Sequence, residues 1–365
     1  MFDGMSPRRK SLKSNKIAEA SKEGGIDALP DELFQHILSL LSADEAVKTY
    51  VLSRGWRHLW KSTAILRIAV ADAKRWKSPE EFNRFVNHLV LFRGSSLLRV
   101  FDLEFSSCRE KDETDDDSDG DESDDDSDDD ETDDDSNPFQ CVMMWVMYAL
   151  ICQVQVLKIH SFNETYIEID GGMPLVSQHL TNIELSGIVL NERFLNFSSC
   201  PALKELYFTK TCCFDFVKKI LSQSVQCLHI FYCQFSEDHR THIYAPSLTA
   251  LFPEGFVGRT PFLERMPSLV EASVRPYEDC DDWCDSECVL LGGLSKAKSL
   301  KLIAGPKIFI FRSDLRWCPL FSKLKSLLLN EWCLASNFWA LACILEHSPV
   351  LRKLTHEISK VKFIS

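Results

Sequence analysis

The sequence lacks the short motifs that commonly mark a catalytic centre. It contains no Gly-x-x-x-x-Gly-Lys phosphate loop, no Gly-x-Ser-x-Gly nucleophile elbow and no His-Glu-x-x-His metal-binding pair. These absences argue against the nucleotide-hydrolysing, serine-hydrolase and zinc-protease classes that such motifs define. We therefore predict no catalytic residue and no cofactor for this chain.

Long apolar runs are missing as well. The first residues hold no apolar segment of signal-peptide length, and the strongest membrane candidate, "CVMMWVMYALIC" at 141–152, is too short to span a bilayer. We expect no membrane insertion and a location in the cytoplasm and/or nucleus, where the 14 cysteines would be free thiols. The segment "PRRKSLKSNK" is typical of either a nuclear-import signal or a disordered basic tail, which we place at residues 1–25.

An excess of acidic charge is confined to a single segment. Residues 110–135 carry 19 acidic side chains and one lysine, a local charge of −18, so the total of −13 leaves +5 for the rest of the chain. With no apolar residue and strong self-repulsion, this segment predicts a disordered insert at 109–137. Such a loop repels nucleic acid, and we expect no nucleic-acid partner. We favour a tolerated, solvated expansion over a phosphorylated loop or one that attracts a basic partner.

A small helical module is predicted near the N-terminus. In "LPDELFQHILSLL" the apolar residues cover more of the helix circumference than one buried stripe requires. Ser42 and Glu45 have the spacing of a capping box for a second helix, and Trp56, Leu59 and Trp60 share one face of a third. Three short helices bury too little surface to be stable alone, so the module needs either the rest of the chain or a partner.

The segment from Ile26 to Trp60, "IDALPDELFQHILSLLSADEAVKTYVLSRGWRHLW", resembles the F-box. Its Leu-Pro opening, its Val-Leu-Ser run and its Trp-Arg-x-Leu-Trp close carry the likeness; Gly55 departs from the basic residue usual there. The resemblance implies that the surplus apolar surface docks on the Skp adaptor and, through it, on cullin and RING subunits. By position, the implied adaptor-binding residues are Leu29, Pro30, Ile37, Leu38, Leu41, Val51 and Trp56.

A loose repeat follows the module, with the spacing apolar, two residues, apolar, one residue, apolar. Its middle positions recur at intervals of 21 to 28 residues, the period of leucine-rich repeats. They are residues 157, 183, 206, 228, 251, 272, 300, 327 and 354. Phe101 precedes them by 56 residues, and removing the 29 residues of 109–137 leaves a normal interval of 27. Runs such as "CCFDFVKKILSQS" and "SNFWALACILEHS" between the strands look helical.

The predicted fold is therefore α/β, with a three-helix F-box followed by an irregular leucine-rich-repeat solenoid of short parallel strands with helical or irregular returns. We place the F-box at 26–62, a linker helix region at 63–96 and the array at 97–365. In the linker, Ser78, Pro79 and Glu81 form a capped helix start before an apolar stripe. The combination resembles plant F-box/leucine-rich-repeat proteins.

Two groups of possible metal ligands have unconvincing spacing. Cys280, Cys284 and Cys288 lie four apart but have no evident fourth ligand, and Cys233 with His239 and His242 does not follow zinc-finger spacing. We predict no metal site for either group.

The resemblance implies a substrate-recognition subunit of an SCF-type cullin–RING ubiquitin ligase, in which the F-box binds the adaptor and the repeats bind an unknown target protein. Such a receptor supplies proximity and no chemistry of its own. The alternative is a leucine-rich-repeat scaffold with a degenerate F-box and no role in ubiquitination. A small-molecule receptor ranks last, because about ten repeats enclose no deep pocket.

Overall fold

A computed structural model describes residues 30–52, 56–69, 78–106, 141–162, 167–168, 174–277, 290–305, 311, 315–334 and 338–357. These residues form a mixed α/β structure dominated by a large parallel sheet. The predicted tail at 1–25, the acidic insert at 109–137 and the Cys280–Cys284–Cys288 group lie outside the described residues. No helix of the described part is long and apolar enough to cross a membrane.

The N-terminal module consists of short helical segments. Helices α1 (Asp31–Leu40), α2 (Ala43–Lys48) and α3 (Trp56–Leu59) alternate with 3-10 turns at Thr49–Val51 and Trp60–Ser62. The predicted capping box is confirmed, since the backbone N–H of Ser42 donates to the Glu45 carboxylate at 3.0 Å. Phe34, Leu38 and Trp60 are buried inside the module.

Eleven parallel strands form the main sheet. Its order is β1-β2-β3-β5-β7-β10-β13-β15-β16-β17-β18, numbered along the chain. Their bounds are Ile65–Ala69, Val100–Ser106, Val156–Phe162, Asn182–Ser186, Glu205–Thr209, Cys227–Phe231, Ala250–Phe256, Glu271–Pro276, Ser299–Leu302, Ser326–Asn330 and Lys353–Glu357. Parallel neighbours need a crossover connection between them, which the intervening returns provide.

The predicted strand periodicity is confirmed by the register of this sheet. Every middle position of the repeat pairs with the next, from Phe101 with Leu157 to Leu327 with Leu354. The pair Phe101–Leu157 also confirms that the chain between them returns to the neighbouring strand despite the insert. Most of these side chains are fully buried on one face of the sheet, as the period of two requires.

The prediction of a helical return in "CCFDFVKKILSQS" is wrong. The run forms two short strands, β8 (Cys213–Phe216) and β9 (Lys219–Leu221). Strand β8 joins β4 (Ile167–Glu168), β6 (Ile188–Asn191) and β11 (Gln234–Phe235) in a four-stranded sheet; β9 joins β12 (His242–Tyr244) and β14 (Phe262–Leu263) in a three-stranded one. Neighbouring returns supply the hydrogen-bond partners, which makes the extended form favourable in this part of the chain.

Other connections between strands of the main sheet contain helices. The capped start at Ser78 is confirmed, because its hydroxyl accepts a hydrogen bond from the backbone N–H of Glu81 at 3.3 Å. Beyond the module, the described residues include the helices α4 (Pro79–Arg93), α5 (Val142–Ile151), α6 (Leu291–Leu294) and α7 (Trp339–Glu346). Helix α5 lies within "CVMMWVMYALIC", and α7 confirms the helix predicted in "SNFWALACILEHS".

Strand β1 was not predicted, since residues 63–96 were assigned to a helical linker. Leu66 and Ile68 alternate with the more exposed Arg67 and pair with β2, so the module leads directly into the edge of the sheet. One continuous hydrophobic core includes Phe34 and Leu38 of the module and the buried strand positions. The N-terminal module is therefore packed onto the first strands of the sheet.

Candidate functional site: an apolar module surface and the solvent face of the sheet

The N-terminal module exposes more apolar surface than its own packing uses. On α1, Phe34 and Leu38 face the core, whereas Leu33, Ile37 and Leu40 face solvent. Because residues three and four apart are neighbours on a helix, these three side chains form one stripe. A second exposed group follows α2 and consists of Tyr50, Val51 and Leu52. Exposed apolar groups of this kind mark surfaces that bind other proteins.

The structure places the sequence-predicted adaptor-binding residues in different environments. Pro30 is exposed, Ile37 is 38% exposed and Val51 is 68% exposed. Leu41 is partly buried against the core, and Leu38 is only 1% exposed, so Leu38 packs the module interior in the unbound chain. The adaptor-binding role of these residues stays a prediction.

Two of the predicted residues cannot be placed fully. Leu29 lies outside the described residues, and Trp56 begins α3 with a side chain that is also outside them. Conversely, Leu33, Leu40, Tyr50 and Leu52 are exposed and were not among the predicted contacts. These residues are close in sequence to Ile37 and Val51, at helical spacing. That spacing alone did not distinguish the exposed face of each helical segment from the buried one.

A buried arginine joins the end of the module to helices α4 and α5. Arg93, at the end of α4, donates to the carbonyl oxygens of Thr63 at 2.7 Å, Ser96 at 2.9 Å and Leu97 at 3.2 Å. It also donates to the Tyr148 hydroxyl at 3.0 Å. Burial raises the pKa of Tyr148 to about 12 against the opposing effect of Arg93, and its hydroxyl donates to the Gly94 carbonyl. These contacts fix the module, α4 and α5 relative to one another.

On the solvent face of the main sheet, the first four strands carry side chains of alternating charge. In one register row, Arg67, Asp102, Lys158 and Glu184 lie on successive strands β1, β2, β3 and β5. Lys158 Nζ is 2.6 Å from Glu184 Oε2, and Arg67 Nε is 3.7 Å from Asp102 Oδ2. Burial raises the pKa of Asp102, while His160, Lys158 and Arg67 act in the opposite direction.

The same row continues as an aromatic stack. Tyr207, His229 and Phe252 lie on β7, β10 and β13, with ring centroids 4.4 and 4.6 Å apart and nearly parallel planes. Burial lowers the pKa of His229, although Glu205 and Glu254 favour its charged form. A neutral ring between two aromatic faces gives the centre of the sheet a flat, partly apolar surface bordered by carboxylates.

A cleft of about 330 Å³ lies at the carboxyl ends of β13 and β15–β18. Both signs of charge line it, from Glu254, Arg275 and Glu357, together with Tyr232 and Tyr277. The amide of Asn330 is held at the rim, since its Nδ2 donates to the Ala304 carbonyl at 2.8 Å and its Oδ1 accepts from the Ala304 N–H. The cleft and the aromatic row together present polar and aromatic groups to solvent. Protein-binding surfaces have this composition.

The described residues do not bring the sequence-predicted metal candidates together. Cys233 is buried and its Sγ contacts the Phe231 carbonyl, while His239 contacts the Val217 carbonyl. His242 lies instead beside Glu264 and the ring of Phe262. A different group, Cys318, Cys343 and His347, does converge. Its sequence signal was the four-residue spacing of Cys343 and His347 on one helix.

Comparison with known proteins decides which kind of module this is. The sequence profile of the F-box domain matches residues 26–67, which contain α1 to α3 and the first part of β1. The chain therefore contains an F-box domain. Its predicted resemblance to plant F-box/leucine-rich-repeat proteins is confirmed by relatives that align with it over nearly its whole length.

The relatives are plant proteins of modest identity. An FBD-associated F-box protein of Arabidopsis thaliana is 27% identical over 382 aligned residues, which cover 93% of this chain and 76% of the relative. An F-box/FBD/LRR-repeat protein of the same plant is 24% identical over 90% of this chain and 78% of its own length. An F-box/LRR-repeat protein is 34% identical over 24% of this chain and 29% of its own length. No solved structure matches the chain at a significant level.

Proposed function

We propose that this F-box protein is the substrate-recognition subunit of an SCF-type ubiquitin ligase in the cytoplasm and/or nucleus. F-box domains generally bind the Skp adaptor in such complexes. The observation that carries the proposal is the exposed apolar surface of the module, formed by Leu33, Ile37 and Leu40 on α1 and by Val51 with its neighbours. Removing such side chains from water in an interface favours association, and the costs of binding reduce the net gain.

The parallel sheet would serve as the target-binding part. The strand register and the names of the relatives support a leucine-rich-repeat array, whose strands present their non-core positions to a partner. The aromatic row of Tyr207, His229 and Phe252 with its bordering carboxylates is the best-defined part of that face. The target would be a protein that offers basic and apolar groups to this surface.

We infer that the chain is not itself a catalyst. The adaptor would connect it to the cullin and RING subunits, and a separate enzyme would carry the ubiquitin thioester. The contribution of this chain is to hold the target near that thioester, which converts a bimolecular encounter into an effectively intramolecular one. The continuous core between the module and the sheet supports this role, because a rigid connection keeps the target at a fixed position.

The adaptor interface is tested with a double variant, Ile37→Glu with Val51→Glu. Both positions are exposed in the unbound chain, so we expect a folded protein, and glutamate is compatible with the helix. Truncations at the centre of an interface typically cost about 2 kcal/mol or more each, so Kd for the purified Skp adaptor should rise at least about 100-fold. Co-purification followed by calorimetry measures the loss.

The matched control is Leu91→Glu with Leu97→Glu. These leucines are 72% and 67% exposed and lie at the end of α4 and in the following loop, outside the set of residues predicted to bind the adaptor. The control should bind the adaptor like the wild type. A folded wild-type chain that ignores the adaptor would contradict the proposal and favour the scaffold alternative.

A further inference from the structure

Three side chains that can bind a metal converge near the C-terminal edge of the main sheet. Cys343 lies in α7, His347 follows at the end of the same helix, and Cys318 lies in the segment before β17. The two Sγ atoms and an imidazole nitrogen all lie within 4.8 Å of one another, and all three side chains are half-buried. Among the described residues this is the one group of three histidine, cysteine or carboxylate side chains that could hold an ion.

The local fold holds these side chains in place without a metal. The spacing of four residues puts Cys343 and His347 on one face of α7. The segment that carries Cys318 is tied to the helix, since the backbone N–H of Phe321 donates to the His347 carbonyl at 2.9 Å. Cys343 Sγ also lies 3.6 Å from the carbonyl oxygen of Leu315. Both elements pack through the fully buried Phe321 and Ile344.

The hydrogen bonding of the histidine suits a metal ligand. His347 Nδ1 lies 2.8 Å from the Cys343 carbonyl oxygen, so Nδ1 carries the proton that it donates. The lone pair then belongs to Nε2. Metal-binding histidines commonly donate the other ring N–H to a carbonyl or carboxylate, which fixes the ring and the tautomer.

We propose that Cys318, Cys343 and His347 form a zinc-binding site, with water as the fourth ligand. Two thiolates and an imidazole are the donor set that this borderline-soft ion prefers in a reducing compartment. Zn–S bonds of about 2.3 Å place tetrahedral ligands about 3.8 Å apart, so closing the site requires movements of about 1 Å. On binding, the two thiols release their protons to solvent and the imidazole binds through the Nε2 lone pair.

The site would fasten the segment before β17 to α7 at the C-terminal edge of the sheet. A metal that binds the folded state and not the unfolded one stabilises the folded state according to its concentration. The inference is independent of the proposed function, since it rests on residues remote in sequence from the F-box.

The test uses the full chain, freed of metal with a chelator under reducing conditions and titrated with Co²⁺ and Zn²⁺. We expect one Co²⁺ per chain, with a thiolate charge-transfer band and strong tetrahedral visible bands that Zn²⁺ displaces. Cys343→Ser and His347→Gln should each weaken Co²⁺ binding at least tenfold and abolish the rise in melting temperature that Zn²⁺ gives the wild type. His347→Gln keeps the inference testable if Cys343→Ser fails to fold.

Two controls assign the signal to this site. Cys141→Ser replaces another half-buried cysteine, at the start of α5, and should bind like the wild type. A triple variant, Cys280→Ser, Cys284→Ser and Cys288→Ser, should also bind normally. Loss of Co²⁺ in the triple variant with retention in His347→Gln would overturn the assignment. The absence of thiolate bands in the wild type, or a Cys318–Cys343 disulfide in the reduced preparation, would overturn it as well.

Discussion

Replacing Arg93 with alanine should lower the free energy of unfolding by about 3–5 kcal/mol. Arg93 is 3% exposed, and its guanidinium donates to the carbonyl oxygens of Thr63, Ser96 and Leu97 and to the Tyr148 hydroxyl. Hydrogen bonds to a charged group contribute about 1.5–3 kcal/mol each, and truncation removes this donor from the buried Thr63 carbonyl. Urea denaturation of the purified chain measures the change.

Arg99→Ala is the matched control for this prediction. Arg99 lies six residues further on and is exposed, so its truncation should change stability by less than about 0.5 kcal/mol. Arg93→Lys should fall between the two, because lysine keeps the charge but cannot reproduce the planar fork of donors. Equal stabilities of the two alanine variants would show that Arg93 does not hold the module, α4 and α5 together.

Trp145→Ala should cost a similar amount, about 3–5 kcal/mol, because truncating a buried aromatic residue leaves a cavity. Trp145 is fully buried in α5, its Nε1 donates to Asn87 Oδ1 at 2.8 Å, and its ring meets Phe82 edge-on at 5.8 Å. The contact joins α5, which follows the acidic insert, to α4. The loss is read from the shift of the denaturation midpoint.

Met144→Ala controls for position on the same helix. The neighbouring Met144 is 51% exposed, so the substitution should leave stability within about 0.5 kcal/mol of the wild type. Asn87→Ala should cost about 1 kcal/mol, since it removes the hydrogen bond and leaves the ring packed. If Trp145→Ala unfolds at the wild-type midpoint, α5 does not pack as described.

The sequence predicted the strands of the main sheet better than the connections between them. Apolar residues at fixed spacing determine which side chains are buried, and a shift of one residue would expose all of them, so the register was readable. The returns are different. In "CCFDFVKKILSQS" the outcome depends on neighbouring returns, where Phe214 stacks on Phe235 at a centroid distance of 4.9 Å and β8 pairs with β6 and β11. Such partners are distant in sequence and leave no local signal.

The sequence predicted an apolar surface on the module but not which of its residues are exposed. The surplus of apolar residues in α1 was evident, but the choice between Ile37 and Leu38 depends on where α1 packs on the rest of the module. The convergence of Cys318 with Cys343 and His347 was hidden for the same reason. The aromatic row required the register of β7, β10 and β13, since each ring alone looks like an ordinary strand residue.

Hydrogen–deuterium exchange of the full chain, alone and in complex with the Skp adaptor, shows whether the module is the adaptor-binding surface. We expect slower exchange of backbone amides in peptides covering 31–41 and 43–52, where Ile37 and Val51 lie. We expect unchanged exchange in β7, β10 and β13, which carry the aromatic row, because that face stays open for a target. Protection spread over the sheet without protection of the module, or no complex with a folded chain, would rule out the proposed adaptor-binding surface.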